Sequence, residues 1–233
     1  MPIEQTPPAA WRERAADRSL RAARARALSR TDRFLAAAGE LLAETGRIDF
    51  TVQDIVDRSK MSLRSFYQHF GGKDELLLAL FEEAIRAFVE QLRREVARCD
   101  DPVDRLRAYV VGLYRTAQSP APATRALTVY HLQLAETRPL DFATAIAPQI
   151  DLLAEIVDAG GASGQFRTDI DPAALTMLLS ETLISAAHMH VLGIPMTGAE
   201  VSADQLWAFC LAAVTPPAGA APGPRQGEGP CLT

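Results

Sequence analysis

Three features of this 233-residue chain predict an all-α fold. Apolar residues recur at i, i+3, i+4 and i+7 along most of its length, the signature of helices with one buried face. Clusters of Pro and Gly ("SPAP", "RPLD", "GGASGQFRTDIDP", "GIPMTG") break that pattern at intervals suited to helix ends. No segment alternates apolar and polar residues well enough to be a strand. About nine helices are expected, grouped as a small N-terminal three-helix unit and a larger helical domain, with no internal repeat.

Taken in order, residues 1–10 contain prolines and are expected to lack regular structure. Trp11–Arg30 is rich in Ala and Arg, with high helix propensity but few large apolar residues. It either extends the first helix or awaits a partner, so residues 1–30 are read as a partly disordered arm. Ser29 and Asp32 stand at capping-box spacing before Phe34, Ala38, Leu41, Leu42 and Thr45, and Gly46 is a good helix-ending residue. Thr51 caps a short second helix that buries Ile55 and Val56. Arg58–Met61 forms a turn, and Ser62 caps a third helix. Asp74 and Glu75 favour the N-terminus of a fourth, which runs to about Cys99. Asp101-Pro102 starts the next. Further helices are expected near 102–118, 123–137, 142–159, 172–192 and 199–214, with Pro148 kinking or splitting the third of these. The domain boundaries follow: 31–75 for the three-helix unit, 76–214 for the larger domain, and 215–233 as a low-complexity tail.

Composition narrows the functional classes. A hydrophobic fraction of 48% with 23% charged residues suits an ordinary globular protein. No run reaches the roughly 18 uninterrupted apolar residues that suggest a membrane span, and no apolar h-region marks a secretory signal. Cys99, Cys210 and Cys231 are odd in number and far apart, which favours a reducing, cytoplasmic setting over a disulfide framework. Charge is uneven: residues 1–73 hold 13 Lys/Arg against 9 Asp/Glu, and the remainder 11 against 20. A basic N-terminal end suggests contact with a polyanion. Paired carboxylates, nucleophile–base pairs and metal clusters at telling spacing are lacking, so an enzyme is a remote alternative. His188 and His190 stand at i and i+2 and point to different helix faces, which argues against a metal site; no cofactor or metal is expected.

The stretch "MSLRSFYQHFGGKDELL" (Met61–Leu77) carries the functional signal. Wound as a helix, Leu63, Phe66, Tyr67 and Phe70 make one inward stripe, and Arg64, Ser65, Gln68 and His69 face away. A short amphipathic helix precedes it across a tight turn, which is helix-turn-helix spacing. A glycine pair then reverses the chain and sets Lys73 at the start of the fourth helix, within reach of a phosphate.

The longer run "TVQDIVDRSKMSLRSFYQHFGGKDELL" resembles the DNA-binding signature of the TetR family of one-component bacterial regulators, over roughly residues 31–80. Two positions depart from the pattern: Ser59-Lys60 stands where Ala-Gly is usual, and Val56 replaces Ala. Lys60 must therefore tolerate a left-handed or strained backbone, and it is a further candidate for a phosphate contact.

The resemblance implies roles. Tyr67, His69 and Lys73 match phosphate-contacting positions, and Thr51 both caps and donates. Leu63, Arg64 and Ser65 fall at base-reading positions, Arg64 foremost because arginine pairs bidentately with guanine; Ser62, at the cap, is counted with them. Gln68 faces outward but lies far along the helix. Arg21, Arg24, Arg26 and Arg30 suit an arm that enters the minor groove, Arg26 and Arg30 being the nearest.

The resemblance further implies a homodimer on a near-palindromic operator, with Leu175, Leu178, Leu179, Leu183, Leu206 and Phe209 at the interface. It also implies an unidentified small apolar or amphipathic effector, in a pocket formed by Phe88, Tyr109, Leu113, Tyr114, Leu127, Tyr130, His131 and Leu134. A repressor released by that effector is the leading expectation; a ligand-independent DNA-binding dimer is the alternative.

Overall fold

A computed structural model of the chain describes residues 10–194 and 201–217, with first-helix side chains described from Ala27 onward and at Arg18, Ser19, Arg21, Arg24 and Ala25 before it. Among the described residues there are nine helices and no strand: α1 Ala10–Thr45, α2 Val52–Ser59, α3 Leu63–His69, α4 Lys73–Val96, α5 Pro102–Ala117, α6 Pro122–Thr137, α7 Pro139–Ala162, α8 Pro172–Leu192 and α9 Ala203–Val214. The chain divides into two compact units, Met1–Leu80 and Phe81–Thr233, so α4 gives its first turns to one and the rest to the other.

In the first unit, α1 is longer than the sequence pattern suggested. It begins at Ala10, so the Arg-rich stretch is helical from there on, and Ser29 and Asp32 lie inside the helix rather than at its start. The Ala/Arg run upstream has the propensity to continue the helix without a cap. Thr31 already bonds back to the Ala27 carbonyl, as an interior residue does. Gly46 ends the helix at φ 64°, donating its N–H to Leu42 O.

The core of this unit centres on Phe34, fully buried and edge-on to Phe66 at 5.4 Å and to Phe70 at 6.2 Å. Ile55, Val56, Leu42 and Phe50 are also buried. Polar clamps fix α2 to α1: Arg58 pairs bidentately with Glu44 at 2.7 Å, and Arg33 donates to the Ser59 carbonyl. The Arg58 guanidinium holds the Glu44 carboxyl below its usual range, mainly through the hydrogen bond.

The second unit is built around α5, whose Leu106, Tyr109, Val110 and Tyr114 are buried among α7, α8 and α9. The buried Tyr109 hydroxyl donates to the Gln149 carbonyl of α7, and desolvation pushes its pKa up. Burial likewise raises the Cys210 thiol to about 11, which keeps it protonated in the core. A close approach explains Gly160: a Cβ there would lie 2.0 Å from the ring of buried Phe166, which folds back onto α7. Pro148 does not split α7, which is continuous from Pro139 to Ala162. It faces solvent, while its neighbours Ala145, Gln149 and Leu152 are buried and hold the helix together across it.

Lys60 has φ 57° and ψ 34°, and is the one described non-glycine residue at positive φ. A left-handed L-residue costs about 1–2 kcal/mol. Lys60→Gly should therefore stabilise the chain by about 0.5–1 kcal/mol, after the greater chain entropy of glycine is offset. Gly160→Ala should destabilise it by about 1–3 kcal/mol, because overpacking outweighs the gain in helix propensity. Thermal and urea unfolding of both variants, with opposite shifts expected, check these two effects.

Candidate nucleic-acid interface

The helix-turn-helix runs from Thr51 to Phe70. Thr51 and Asp54 form a reciprocal capping box: the Asp54 N–H donates to Thr51 Oγ1 at 3.2 Å, and the Thr51 N–H donates to Asp54 Oδ2 at 2.7 Å. The Thr51 hydroxyl also donates to Asp54 Oδ2 at 2.7 Å, so its single proton is engaged. Lys60 turns the chain in its left-handed conformation, and Ser62 Oγ caps α3 by accepting from the Ser65 N–H at 3.1 Å.

The faces of α3 differ from the sequence expectation. Phe66 and Phe70 are buried as predicted, but Leu63 and Tyr67 are 43% and 57% exposed. Ser65, expected outward, is buried, and His69 is half-buried beside the Phe34 ring. The outward set is Leu63, Arg64, Tyr67 and Gln68; the inward set is Ser65, Phe66, His69 and Phe70. At 100° per residue the buried face has turned by about a quarter turn from the four-apolar stripe. Docking on Phe34 sets this register. Tyr67 then meets the Phe66 ring at right angles, at 5.4 Å, and is otherwise exposed. Ser65 Oγ and His69 Nε2 are buried without a hydrogen-bond partner among the described residues. As α3 is docked, neither atom is presented to a surface ligand.

After α3 the two glycines do not reverse the chain through positive φ; neither is among the described glycines that take it. The turn is closed instead by Glu75, whose carboxylate accepts from the Gly71 N–H at 2.6 Å. Lys73 opens α4, but its ammonium already donates to the Ile48 carbonyl at 3.1 Å and lies 5.9 Å from the centre of the Phe50 ring. Two of its three N–H bonds remain for another partner. Arg64 makes no hydrogen bond or ion pair with a described residue, and with Lys60 it gives the exposed turn and α3 a positive surface. Of the arm residues, Arg21, Arg24 and Arg30 are exposed on α1; the Arg26 side chain lies outside the described residues.

The second unit holds a cavity of about 200 Å³ between α4, α5, α6, α7 and α8. Four of the residues expected there line it: Phe88, Leu113, Leu127 and His131. Tyr109, Tyr114, Tyr130 and Leu134 are core instead. Tyr109 is committed to Gln149 O, Tyr114 donates to Val201 O, and Tyr130 stacks edge-on to Phe81. Among the lining residues not foreseen, the polar ones are Gln149, His188 and the threonines Thr116, Thr124 and Thr128. The signal for Gln149 was present in the sequence as a lone carboxamide in an apolar helix. His188 and His190 do part company: His188 meets His131 at 4.5 Å between ring centres, whereas His190 faces Tyr114.

Of the residues expected at a subunit interface, Leu175, Leu179, Leu183 and Leu206 are buried in the core of the second unit. Leu178 and Phe209 are each 59% exposed, and the unforeseen Met177, next to Leu178, is 54% exposed. The periodicity could not separate these groups, because α8 is apolar on both its buried and its exposed sides.

Residues 34–80 match the family model "Bacterial regulatory proteins, tetR family". Over 192 residues the chain is 25% identical to the HTH-type transcriptional repressor KstR2 of Mycolicibacterium smegmatis, covering 80% of this chain and 91% of that protein. It is 29% identical over 102 residues to the HTH-type transcriptional regulator BetI of Brucella anthropi, spanning 43% of this chain and about half, 53%, of that protein. The solved structure of the transcriptional regulator FadR of Bacillus subtilis in complex with stearoyl-CoA superposes with a TM-score of 0.62 at 18% identity, over 78% of this chain and 98% of that one. With a capped helix-turn-helix in place and the family model falling on the helices that build it, residues 34–80 form the DNA-binding unit of a transcriptional regulator of the tetR type.

Proposed function

We propose that this transcriptional regulator is a homodimeric repressor that binds a near-palindromic operator through α3 and is released by a small ligand in the second unit. The observation that carries the DNA reading is the outward face of α3, where Leu63, Arg64, Tyr67 and Gln68 stand together on a helix docked by Phe66 and Phe70. The major groove admits one helix. Arg64 takes the base-reading role, with Leu63 beside it for a thymine methyl, and the Tyr67 hydroxyl meets a backbone phosphate. Lys60, and Lys73 through its two remaining N–H bonds, add phosphate contacts, as do Arg30 and the other arm arginines along α1.

Two further observations support the rest. A single short helix reads too few base pairs, and dimers of such motifs bind half-sites about 34 Å apart. Met177 and Leu178 on α8 and Phe209 on α9 supply an apolar surface suited to a second copy. The cavity favours a ligand-gated regulator over a constitutive dimer. Phe81, Ile85 and Phe88 of α4 line it, and the same helix begins at Lys73 in the DNA-binding unit. A ligand that displaces α4 would thereby alter operator affinity. Repression rather than activation draws on the likeness to KstR2, named a repressor.

Anisotropy titrations with the DNA upstream of the regulator's own gene test the α3 assignment. Arg64→Ala should weaken binding by about 1–3 kcal/mol and relax preference at one base pair. Ser65→Ala should leave affinity within about threefold, since its hydroxyl faces inward. Equal binding by the wild type and Arg64→Ala would refute the assignment. For the dimer, Leu178→Glu combined with Phe209→Glu should yield a folded monomer in sedimentation and lower operator affinity by at least about tenfold; an unchanged dimer would remove α8 and α9 from the interface.

A further inference from the structure

The cavity's polar groups say more about its occupant than its apolar walls do. Gln149 is 93% buried by its 7% exposure, yet its carboxamide makes no hydrogen bond to a described residue. The Tyr109 bond goes to its backbone carbonyl and leaves the side chain unused. His131 and His188 face each other with ring centres 4.5 Å apart, and His131 is enclosed further by Phe81 and Phe142 at 5.8 and 4.7 Å. Neither imidazole makes a hydrogen bond to a described residue. Buried polar groups in folded proteins are almost always satisfied, because leaving one unpaired forfeits its hydration. These three side chains, with the Thr124 hydroxyl that lines the same cavity without a bond to a described residue, form a recognition set.

The charge character of that set is equally specific. Burial, and then the charge of His188, push the His131 pKa down to about 4, and burial lowers that of His188. Both rings are neutral at pH 7, so each carries one N–H donor and one acceptor nitrogen. Gln149 likewise offers one of each kind. Among the described residues no Asp, Glu, Lys or Arg lines the cavity, so an ionised ligand would enter without a counter-charge. The volume of about 200 Å³ compares with the roughly 150 Å³ apolar cavity known to accept benzene. It has room for a single ring and a substituent.

We infer that the cavity binds a small neutral molecule of about one ring carrying a hydroxyl, with the ring against Phe81, Ile85 and Phe88 and the hydroxyl among Gln149, His131 and His188. A hydroxyl both donates and accepts, which matches neutral imidazoles and a carboxamide better than a purely apolar or an ionised group does. This deepens the effector-site reading and rests on it.

Calorimetric titration of the full chain without DNA, at neutral pH, tests the chemistry with phenol, toluene and benzoate as probes. Phenol should bind at least about tenfold tighter than toluene, and benzoate should give no binding heat. Gln149→Leu and His188→Leu should each weaken phenol about tenfold. Gln149→Leu should also raise the melting temperature of the free chain, because it replaces a cavity-facing amide that has no hydrogen bond to a described residue with an apolar side chain; a purely structural carboxamide would lower it. Toluene binding as tightly as phenol, or phenol affinity unchanged in both variants, overturns the inference. A parallel anisotropy titration keeps the two readings apart. If no probe binds while operator DNA is still held, the ligand class is wrong and the DNA-binding reading stands. If phenol binds as expected but leaves DNA affinity unchanged, the cavity chemistry stands and the gating fails.

Discussion

The packing of Phe34 against Phe66 and Phe70 is the contact on which the outward surface of α3 depends. A helix of seven residues has almost no intrinsic stability in water, so its orientation is decided by what it docks on. The three rings meet edge-on or tilted at 5.4 to 6.2 Å, within the range where aromatic pairs gain energy beyond simple burial. Once Phe66 and Phe70 occupy that site, every other side chain of α3 has its direction assigned. Arg64 and Tyr67 go to solvent; Ser65 and His69 go inward, even at the cost of two buried polar atoms without partners. The composition of the outward face of α3 is in this sense a consequence of core packing one helix away.

That dependence explains which parts of the molecule were legible in the sequence. Helix existence was legible because period, caps and prolines agree: Thr51 and Ser62 cap α2 and α3, Pro102 and Pro172 begin α5 and α8, and Gly46 ends α1. Lys60 was legible as a strained position because it stands where the resembled family pattern has glycine. The rotation of α3 was not legible. Leu63, Phe66, Tyr67 and Phe70 satisfy a helical stripe, yet the stripe is wider than the surface available, and only the partner on α1 selects its half. The same ambiguity affected α8, where a continuous apolar sequence serves two surfaces. Periodicity reports that a residue is apolar, not which neighbour it meets.

The pocket shows the complementary limit. Large aromatic residues drew attention in the sequence, but Tyr109 and Tyr114 spend their hydroxyls inside the core, on the carbonyls of Gln149 and Val201. The side chains that give the cavity its chemistry are smaller and less conspicuous. Gln149 follows Pro148 directly, and a proline on the solvent side of α7 leaves the next residue facing the interior. A carboxamide at that position has an unavoidable desolvation cost, which an apolar side chain of similar size would escape.

Retaining that cost makes physical sense only if the group does something an apolar side chain could not. Stability alone would favour leucine at position 149 and would not bring two imidazoles together, since their mutual burial makes each harder to protonate. The neutral pair and the amide together form a site that is polar without being charged, inside walls that are otherwise aliphatic and aromatic apart from the threonines Thr116, Thr124 and Thr128. Such a site gains most from a ligand whose one polar group replaces the missing hydrogen bonds and whose apolar body fills the remaining space. It gains little from a purely apolar one, and an ion is penalised for want of a counter-charge. Selectivity of this kind follows from polar groups left unpaired in the free protein, much as the α3 surface follows from rings packed beneath it.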